Sequence, residues 1–204
     1  MKKLGVLLFL AVAMTLLLGG NALAQGDNSV YFVTYYSNAN TDAPGAVLRL
    51  INDGDNSTSQ TEGVPNGNLW ASIYVFDDSQ ELQECCSCFV SADGLLSESV
   101  NGNLTSNELT GRAENFRGVI KVISSSHGDP TNNVKKAGLR GTMTHIQAFN
   151  PANSGLSYVP TETPLADSNL VSAEQSALQQ SCSFAITLGS GFGICSCTPE
   201  DHDF

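Results

Sequence analysis

The amino-acid sequence predicts a mostly β protein, an immunoglobulin-like antiparallel β-sandwich that ends in a helix. Three observations lead to this prediction. Short apolar runs alternate with loops rich in Asn, Asp, Ser, Thr and Gly along the 204-residue chain. Turn pairs such as Asn-Gly and Asp-Gly separate these runs. Near the C-terminus, the spacing of the apolar residues changes to the helical period.

Six strands are expected, at residues 30–36, 46–52, 69–76, 95–100, 118–124 and 139–149. Residues 69–76 are apolar on both faces, which is typical of a central strand whose two faces are both covered. The strand at 118–124 is similar, with Lys121 as its one charge. The pair Asp93-Gly94 lies between two apolar runs and predicts a hairpin.

Two segments interrupt the β pattern. Residues 78–84 follow the central strand and carry acids where a helix dipole would favour them, so we expect a short helical turn there. Residues 172–188 form the strongest helical pattern. Ser172 and Gln175 have the spacing of a capping box, and Gly189 can end the helix in a left-handed conformation.

The N-terminus has the pattern of a secretory signal peptide. Lys2 and Lys3 precede an apolar run at residues 4–18, and Ala22-Leu23-Ala24 offers the small residues that a signal peptidase reads. We therefore expect residues 1–24 to be removed and residues 25–204 to form a single secreted or periplasmic domain without a membrane span. The alternative is an uncleaved N-terminal anchor.

The charge balance excludes several classes of partner. The chain has a net charge of −11, which becomes −13 once Lys2 and Lys3 leave with the signal peptide. A surface so acidic does not suit nucleic acid or an anionic membrane.

The six cysteines predict three disulfides, because their number is even and the chain is expected to be exported. They form an N-terminal cluster and a C-terminal group: Cys85, Cys86 and Cys88, then Cys182, Cys195 and Cys197. Close neighbours in sequence seldom pair with each other, because a disulfide needs suitably spaced Cβ atoms. Pairing between the two groups leaves six arrangements open.

Metal and redox roles are the alternatives for these cysteines. Three clustered thiols with a C-x-C pair and His202 could hold Zn²⁺ or Cu(I), although the C-x-x-C spacing typical of zinc and thioredoxin-like sites is absent. Asp53 and Asp55 could belong to a Ca²⁺ loop, but we favour a solvated loop because the EF-hand pattern is incomplete. We expect no cofactor.

No recognisable catalytic motif occurs in the sequence. Ser124 to Ser126 lie close in sequence to His127 and Asp129, but serine is so common in this chain that the proximity does not predict a Ser/His/Asp triad. We interpret His145 as an ordinary strand histidine. A secreted hydrolase that uses acidic residues is therefore a minor alternative.

The N-terminal strand is uncharged and aromatic on both faces. Its candidate assembly residues are Val30, Phe32, Val33, Tyr35 and Tyr36. We favour a buried first strand; donation of this strand to a second copy of the chain is the alternative. The expected function is that of an exported structural or adhesive protein, whose partner is itself, another envelope or extracellular protein, or a glycan.

Residues 73–88 read Ile-Tyr-Val-Phe-Asp-Asp-Ser-Gln-Glu-Leu-Gln-Glu-Cys-Cys-Ser-Cys, and residues 193–197 read Gly-Ile-Cys-Ser-Cys. In these motifs the chain resembles a group of uncharacterised, predicted secreted bacterial proteins, over most of its length after the signal. The resemblance implies export and a shared set of cysteines, and no catalytic activity. Members of the group often carry a cysteine where this chain has Trp70, which widens the range of pairings.

Overall fold

The computed structural model describes residues 29–54, 67–110, 116–150 and 155–198. The strands within these ranges are β1 (Tyr31–Ser37), β2 (Val47–Asn52), β3 (Leu69–Asp77), β4 (Leu82–Val90), β5 (Leu95–Ser99), β6 (Arg117–Ser125), β7 (Leu139–Phe149), β8 (Ser157–Pro164) and β9 (Ala166–Asp167). A π-helical turn, Val100–Leu104, follows β5, and the helix α1 (Ser172–Thr187) follows β9.

The strands form two antiparallel sheets. The five-stranded sheet has the order β4-β3-β6-β1-β9, and the four-stranded sheet has the order β5-β2-β7-β8. The predicted sandwich with a C-terminal helix is therefore confirmed, while its immunoglobulin-like assignment stays a prediction. All six expected strands are present, with ends that differ from expectation by no more than one residue.

The core lies between the two sheets. Successive strand side chains point to opposite faces. In β3 the residues Leu69, Ala71, Ile73 and Val75 therefore share one face and belong to the main apolar cluster. Leu48 and Leu50 of β2 belong to the same cluster from the opposite sheet.

The other face of the five-stranded sheet is covered by α1. Tyr74 of β3 and Ile123 of β6 pack in a second apolar cluster with Leu178, Cys182 and Ala185 of the helix. This coverage explains why β3 is apolar on both faces, as expected for a strand buried from both sides. It also fixes α1 next to β4.

The expected helical turn at residues 78–84 is wrong. Asp77 instead closes a tight turn: its Oδ1 accepts hydrogen bonds from the backbone N–H groups of Ser79 at 2.8 Å and Glu81 at 2.9 Å. Leu82 then begins β4. A side-chain carboxylate that binds the backbone two residues on favours a turn over a helix.

Two further expectations need correction. The N-cap of α1 is Val171 and makes no side-chain capping bond, so the capping box is wrong; the Gln175 side chain instead donates to Asn133 Oδ1 at 2.8 Å. Asp93-Gly94 does form a turn, with Gly94 N–H donating to the Ser91 carbonyl. That turn links strands of different sheets and therefore makes no hairpin.

Candidate functional site

The most distinctive site is a row of three disulfides that attaches α1 and the C-terminal tail to β4. The bridges are Cys85–Cys182, Cys86–Cys195 and Cys88–Cys197, with Cα–Cα distances of 5.8, 5.3 and 5.4 Å. The described chain therefore has the three expected disulfides, and they join the two cysteine groups.

The strand alternation of β4 explains this division. Cys85 points to the outer face, where it packs in the same cluster as α1, whereas Cys86 and Cys88 point toward the core between the sheets. One strand thus anchors the helix on one face and the tail on the other.

Backbone hydrogen bonds place the tail along the edge of β4. Cys85 N–H donates to the Gly193 carbonyl at 2.9 Å, and Cys195 N–H donates to the Cys85 carbonyl at 3.3 Å. The tail then leaves β4, because Ser196 N–H donates to the Asn103 carbonyl at 3.0 Å. It therefore passes from the edge of one sheet toward the other sheet. We call the three bridges together with tail residues 193–198 the seam.

Glu84 is a buried carboxylate beneath the seam, with no solvent exposure. Its Oε1 accepts a 2.7 Å hydrogen bond from Asn107 N–H, and the described residues offer no partner to its buried Oε2. Burial raises the pKa of Glu84 to about 7, against the lowering effect of the Asn107 hydrogen bond.

Glu98 of β5 holds the far end of the tail. Its two carboxylate oxygens accept hydrogen bonds from Thr198, at 2.8 Å from the backbone N–H and 2.9 Å from the hydroxyl. Burial raises the pKa of Glu98, and the Thr198 hydrogen bonds oppose this rise. Glu98 therefore holds the tail directly, whereas Glu84 holds the backbone at Asn107.

The seam also contains the one cluster in the described ranges that has three or more metal-ligand side chains within mutual reach. The sulfur atoms of Cys86, Cys88 and Cys197 lie within 4.8 Å of one another. In the described chain every cysteine is bridged, however, and a disulfide sulfur is not the thiolate that Zn²⁺ or Cu(I) binds. A metal would require reduction of these bridges.

Of the two carboxylates expected in a Ca²⁺ loop, the structure describes only Asp53. Asp53 makes an ion pair with Arg140, with 3.1 Å between Oδ2 and Nε, so a guanidinium lies where a cation would bind. Asp55 lies outside the described residues.

The Ser/His/Asp set is not assembled as a triad. The Ser125 hydroxyl donates to the backbone carbonyl of His127 and accepts from the N–H groups of His127 and Val134, so it organises a turn. His145 is buried and stacks on the Tyr35 ring at 4.0 Å between centroids, as expected for a strand histidine. Burial lowers the pKa of His145.

The structure places the candidate assembly residues in the chain's own sheet. All seven residues of β1 pair with β6, and Phe32 and Val33 also pair with β9. Phe32 and Tyr36 are buried in the core, whereas Tyr35 is 51 % exposed. Val30, which precedes the strand, accepts a hydrogen bond from Ser124 N–H.

Comparison of the chain with protein-family models, with curated proteins and with solved structures finds no match. Across the described ranges, the search for a helix long and apolar enough to span a bilayer finds none.

Sequence reasoning missed the buried carboxylates of the site. The sequence analysis placed Glu84 in an expected helical turn and gave Asp77 no role, yet both carboxylates are buried. The available signal was the alternation of residues 84–90, in which Glu84 shares a face with the core residues Cys86, Cys88 and Val90 once β4 is recognised as a strand.

Proposed function

We propose that the chain is an exported structural or interaction protein of the cell envelope or extracellular space. The observation that supports this most directly is the seam, where three disulfides attach α1 and the tail to one strand. Such bridges persist in oxidising compartments and protect small domains outside the cell. The side chains best placed for chemistry, Glu84, Glu98 and Ser125, bind the chain's own backbone.

Fractionation of expressing cells, followed by intact-mass measurement of the exported protein, tests this proposal. We expect a chain that begins at Gln25 and is lighter than the reduced form by six hydrogens. Retention of the full-length chain in the cytoplasm with free thiols would contradict export and the structural role of the seam.

A thiol-redox or metal-binding module is the second candidate, favoured by the short distances between the sulfurs of Cys86, Cys88 and Cys197. Thiol titration and metal analysis of the protein purified in air separate the two proposals. We expect no titratable thiol and no stoichiometric metal; two or more free thiols with a bound soft metal would favour the second candidate.

Assembly through β1 is a finer form of the structural proposal. Because the strand fills its own sheet, donation to a second copy would require it to leave β6 in one molecule and pair with β6 in another. Deletion of residues 25–36 distinguishes the cases. We expect loss of the folded monomer, as judged by circular dichroism and gel filtration, whereas a donated strand would leave a folded core that no longer polymerises.

A further inference from the structure

The three bridges of the seam differ in how far solvent reaches them. Cys197 is exposed. The other five cysteines are at most 5 % exposed: Cys85, Cys86, Cys88, Cys182 and Cys195. Thiol–disulfide exchange begins when a thiolate reaches a disulfide sulfur, so access decides which bridge reacts. Cys88–Cys197 is therefore the bridge that a thiol in solution can attack while the chain stays folded.

The exposed end of this bridge sets the direction of the attack. The thiolate reaches Cys197 Sγ, the bond between Cys88 and Cys197 breaks, and a new S–S bond joins the external thiol to Cys197. The electron pair of the broken bond goes to Cys88 Sγ, which takes up the proton that the external thiol released. One disulfide replaces another, so the step consumes no oxidant or reductant.

The tail keeps its other attachments when this bridge opens. The neighbouring bridge at Cys195 still joins the tail to β4. Thr198 still donates to both carboxylate oxygens of Glu98. The opening is therefore local, and the two separated sulfurs stay close enough to bridge again.

The released thiol of Cys88 has no suitable partner on its own strand. Its sulfur lies 3.7 Å from Cys86 Sγ, and the two residues share one face of β4. Residues two positions apart on a strand are separated by about 6.6–6.8 Å, whereas the Cβ atoms of a disulfide lie about 3.5–4.5 Å apart. A Cys86–Cys88 bridge would require the strand to bend. Cys88 therefore attacks Cys197 again and expels the external thiol.

The charge of the molecule selects the thiol. The chain has a net charge of −11, and the Glu98 carboxylate binds the residue that follows Cys197. Residues 175–198 contain no Lys, Arg or His that would offset this charge. An anionic thiol is repelled, and so is a second copy of the chain, whereas a neutral or cationic thiol is not. The substrate class is therefore a small thiol without negative charge.

We propose that Cys197 is a reversible thiol-exchange site. There the protein forms mixed disulfides with neutral or cationic low-molecular-weight thiols, and Cys88 resolves them. The inference goes beyond the structural role proposed above and rests on it only for the oxidised state of the bridges.

Exchange with cysteamine, a cationic thiol, tests the proposal on the oxidised protein under native conditions. Acid quenching, unfolding, alkylation of free thiols and peptide mapping then locate the products. We expect cysteamine on Cys197 and the alkylated thiol at Cys88, with the other two bridges intact. The anionic mercaptoethanesulfonate should react about threefold or more slowly at low salt, and high salt should reduce this difference.

Two matched variants separate the roles of the two cysteines. Cys88→Ser leaves Cys197 as an exposed thiol, whereas Cys197→Ser leaves Cys88 as a buried one. With cystamine, the disulfide of cysteamine, Cys88→Ser should form a mixed disulfide that persists, because its resolving thiol is gone. Cys197→Ser should react about tenfold more slowly or less. Intact mass follows both reactions, and thermal unfolding checks that both variants fold.

Several results would overturn the proposal. Cysteamine could open another bridge before Cys88–Cys197, or open all three at one rate, which would mean that attack follows global unfolding. The two variants could react equally with cystamine. Disulfide-linked dimers of Cys88→Ser in place of the cysteamine adduct would contradict the substrate class. Failure of exchange leaves the export proposal intact, since fractionation and the mass of the untreated protein measure export separately.

Discussion

At the scale of single residues, Glu84 is a buried carboxyl group whose ionisation destabilises the fold. Its carboxylate is fully buried, and its pKa is raised to about 7 from an ordinary value of 4.5. The native chain therefore keeps this proton at pH values where the unfolded chain has released it. Stability should fall as the pH rises from about 4.5 to about 7, by up to about 3 kcal/mol, and level off above that.

The variant Glu84→Gln should flatten this dependence, as measured by urea unfolding at several pH values between 4.5 and 8. Glu98 contributes in the same direction because burial raises its pKa, whereas the lowered pKa of His145 makes stability rise with pH near 6.5. The difference between native chain and variant isolates Glu84. The exposed Glu162→Gln serves as control, and an unchanged slope in Glu84→Gln would contradict the assignment.

Gly118 is the clearest example of a residue fixed by close packing. A Cβ atom added there would overlap the carbonyl oxygen of Phe76 and lie 2.8 Å from the Tyr36 hydroxyl. Backbone cannot yield as a flexible side chain does, so Gly118→Ala should lower the free energy of unfolding by about 2–4 kcal/mol. Gly45→Ala, which meets no atom within 4 Å, should change it little. If a denaturant titration showed the same loss of stability for both variants, close packing at Gly118 would be contradicted.

At the scale of elements, the three disulfides cross one another in sequence, and their contributions to stability are unequal because each closes a different loop once the others are in place. Cys85–Cys182 joins positions 97 residues apart, but with Cys86–Cys195 in place it adds only the short loop between Cys182 and Cys195. Cys88–Cys197 closes a still shorter circuit through the same neighbour. From loop-closure entropy, loss of Cys85–Cys182 should lower the free energy of unfolding by about 3 kcal/mol. Loss of Cys88–Cys197 should lower it by about 2 kcal/mol.

Paired Cys→Ala variants of each bridge, compared by guanidinium unfolding under oxidising conditions, measure this order. Removal of all three bridges should cost more than either alone, because the tail would then be held only by hydrogen bonds such as those of Thr198 to Glu98. A larger cost for Cys88–Cys197 than for Cys85–Cys182 would show that packing around the tail outweighs chain entropy.

The sequence analysis missed strands β4 and β8, and the composition of each explains why its sequence pattern is weak. β4 mixes polar residues with cysteines, whose burial follows from bridging and not from a simple apolar alternation. β8 contains Pro160 and Pro164, which argue against a strand. Leu165 N–H donates to the Gly141 carbonyl of β7, so the backbone N–H groups of odd-numbered residues point toward β7. The backbone nitrogens of both prolines therefore point toward the open edge of the sheet, where no backbone donor is required. The prolines also protect this edge from pairing with another chain.

At the scale of the molecule, the sequence predicted the sandwich, the helix and the disulfides because these depend on repeated local patterns and on a cysteine count. The seam could not be predicted in the same way. The seam depends on which strand lies at the edge of each sheet and on which segment runs along that edge. The burial of Glu84 and the choice among the six cysteine pairings therefore follow from the topology of the whole fold.

The net charge leads to a final prediction for the whole molecule. The chain carries 20 acidic and 9 basic residues, and its ion pairs include Arg49–Glu162, Arg117–Asp78, Lys121–Glu174 and Arg140–Asp53. Partly exposed pairs contribute about 0–1 kcal/mol each, whereas repulsion among the excess acids acts throughout the compact state. Screening should therefore stabilise the fold, and the melting temperature should rise by several degrees between about 10 mM and 0.5 M NaCl at pH 8. The pH dependence due to Glu84 should persist at high salt, since a buried group is screened less. A melting temperature that falls steadily with salt would mean that the ion pairs outweigh the repulsion.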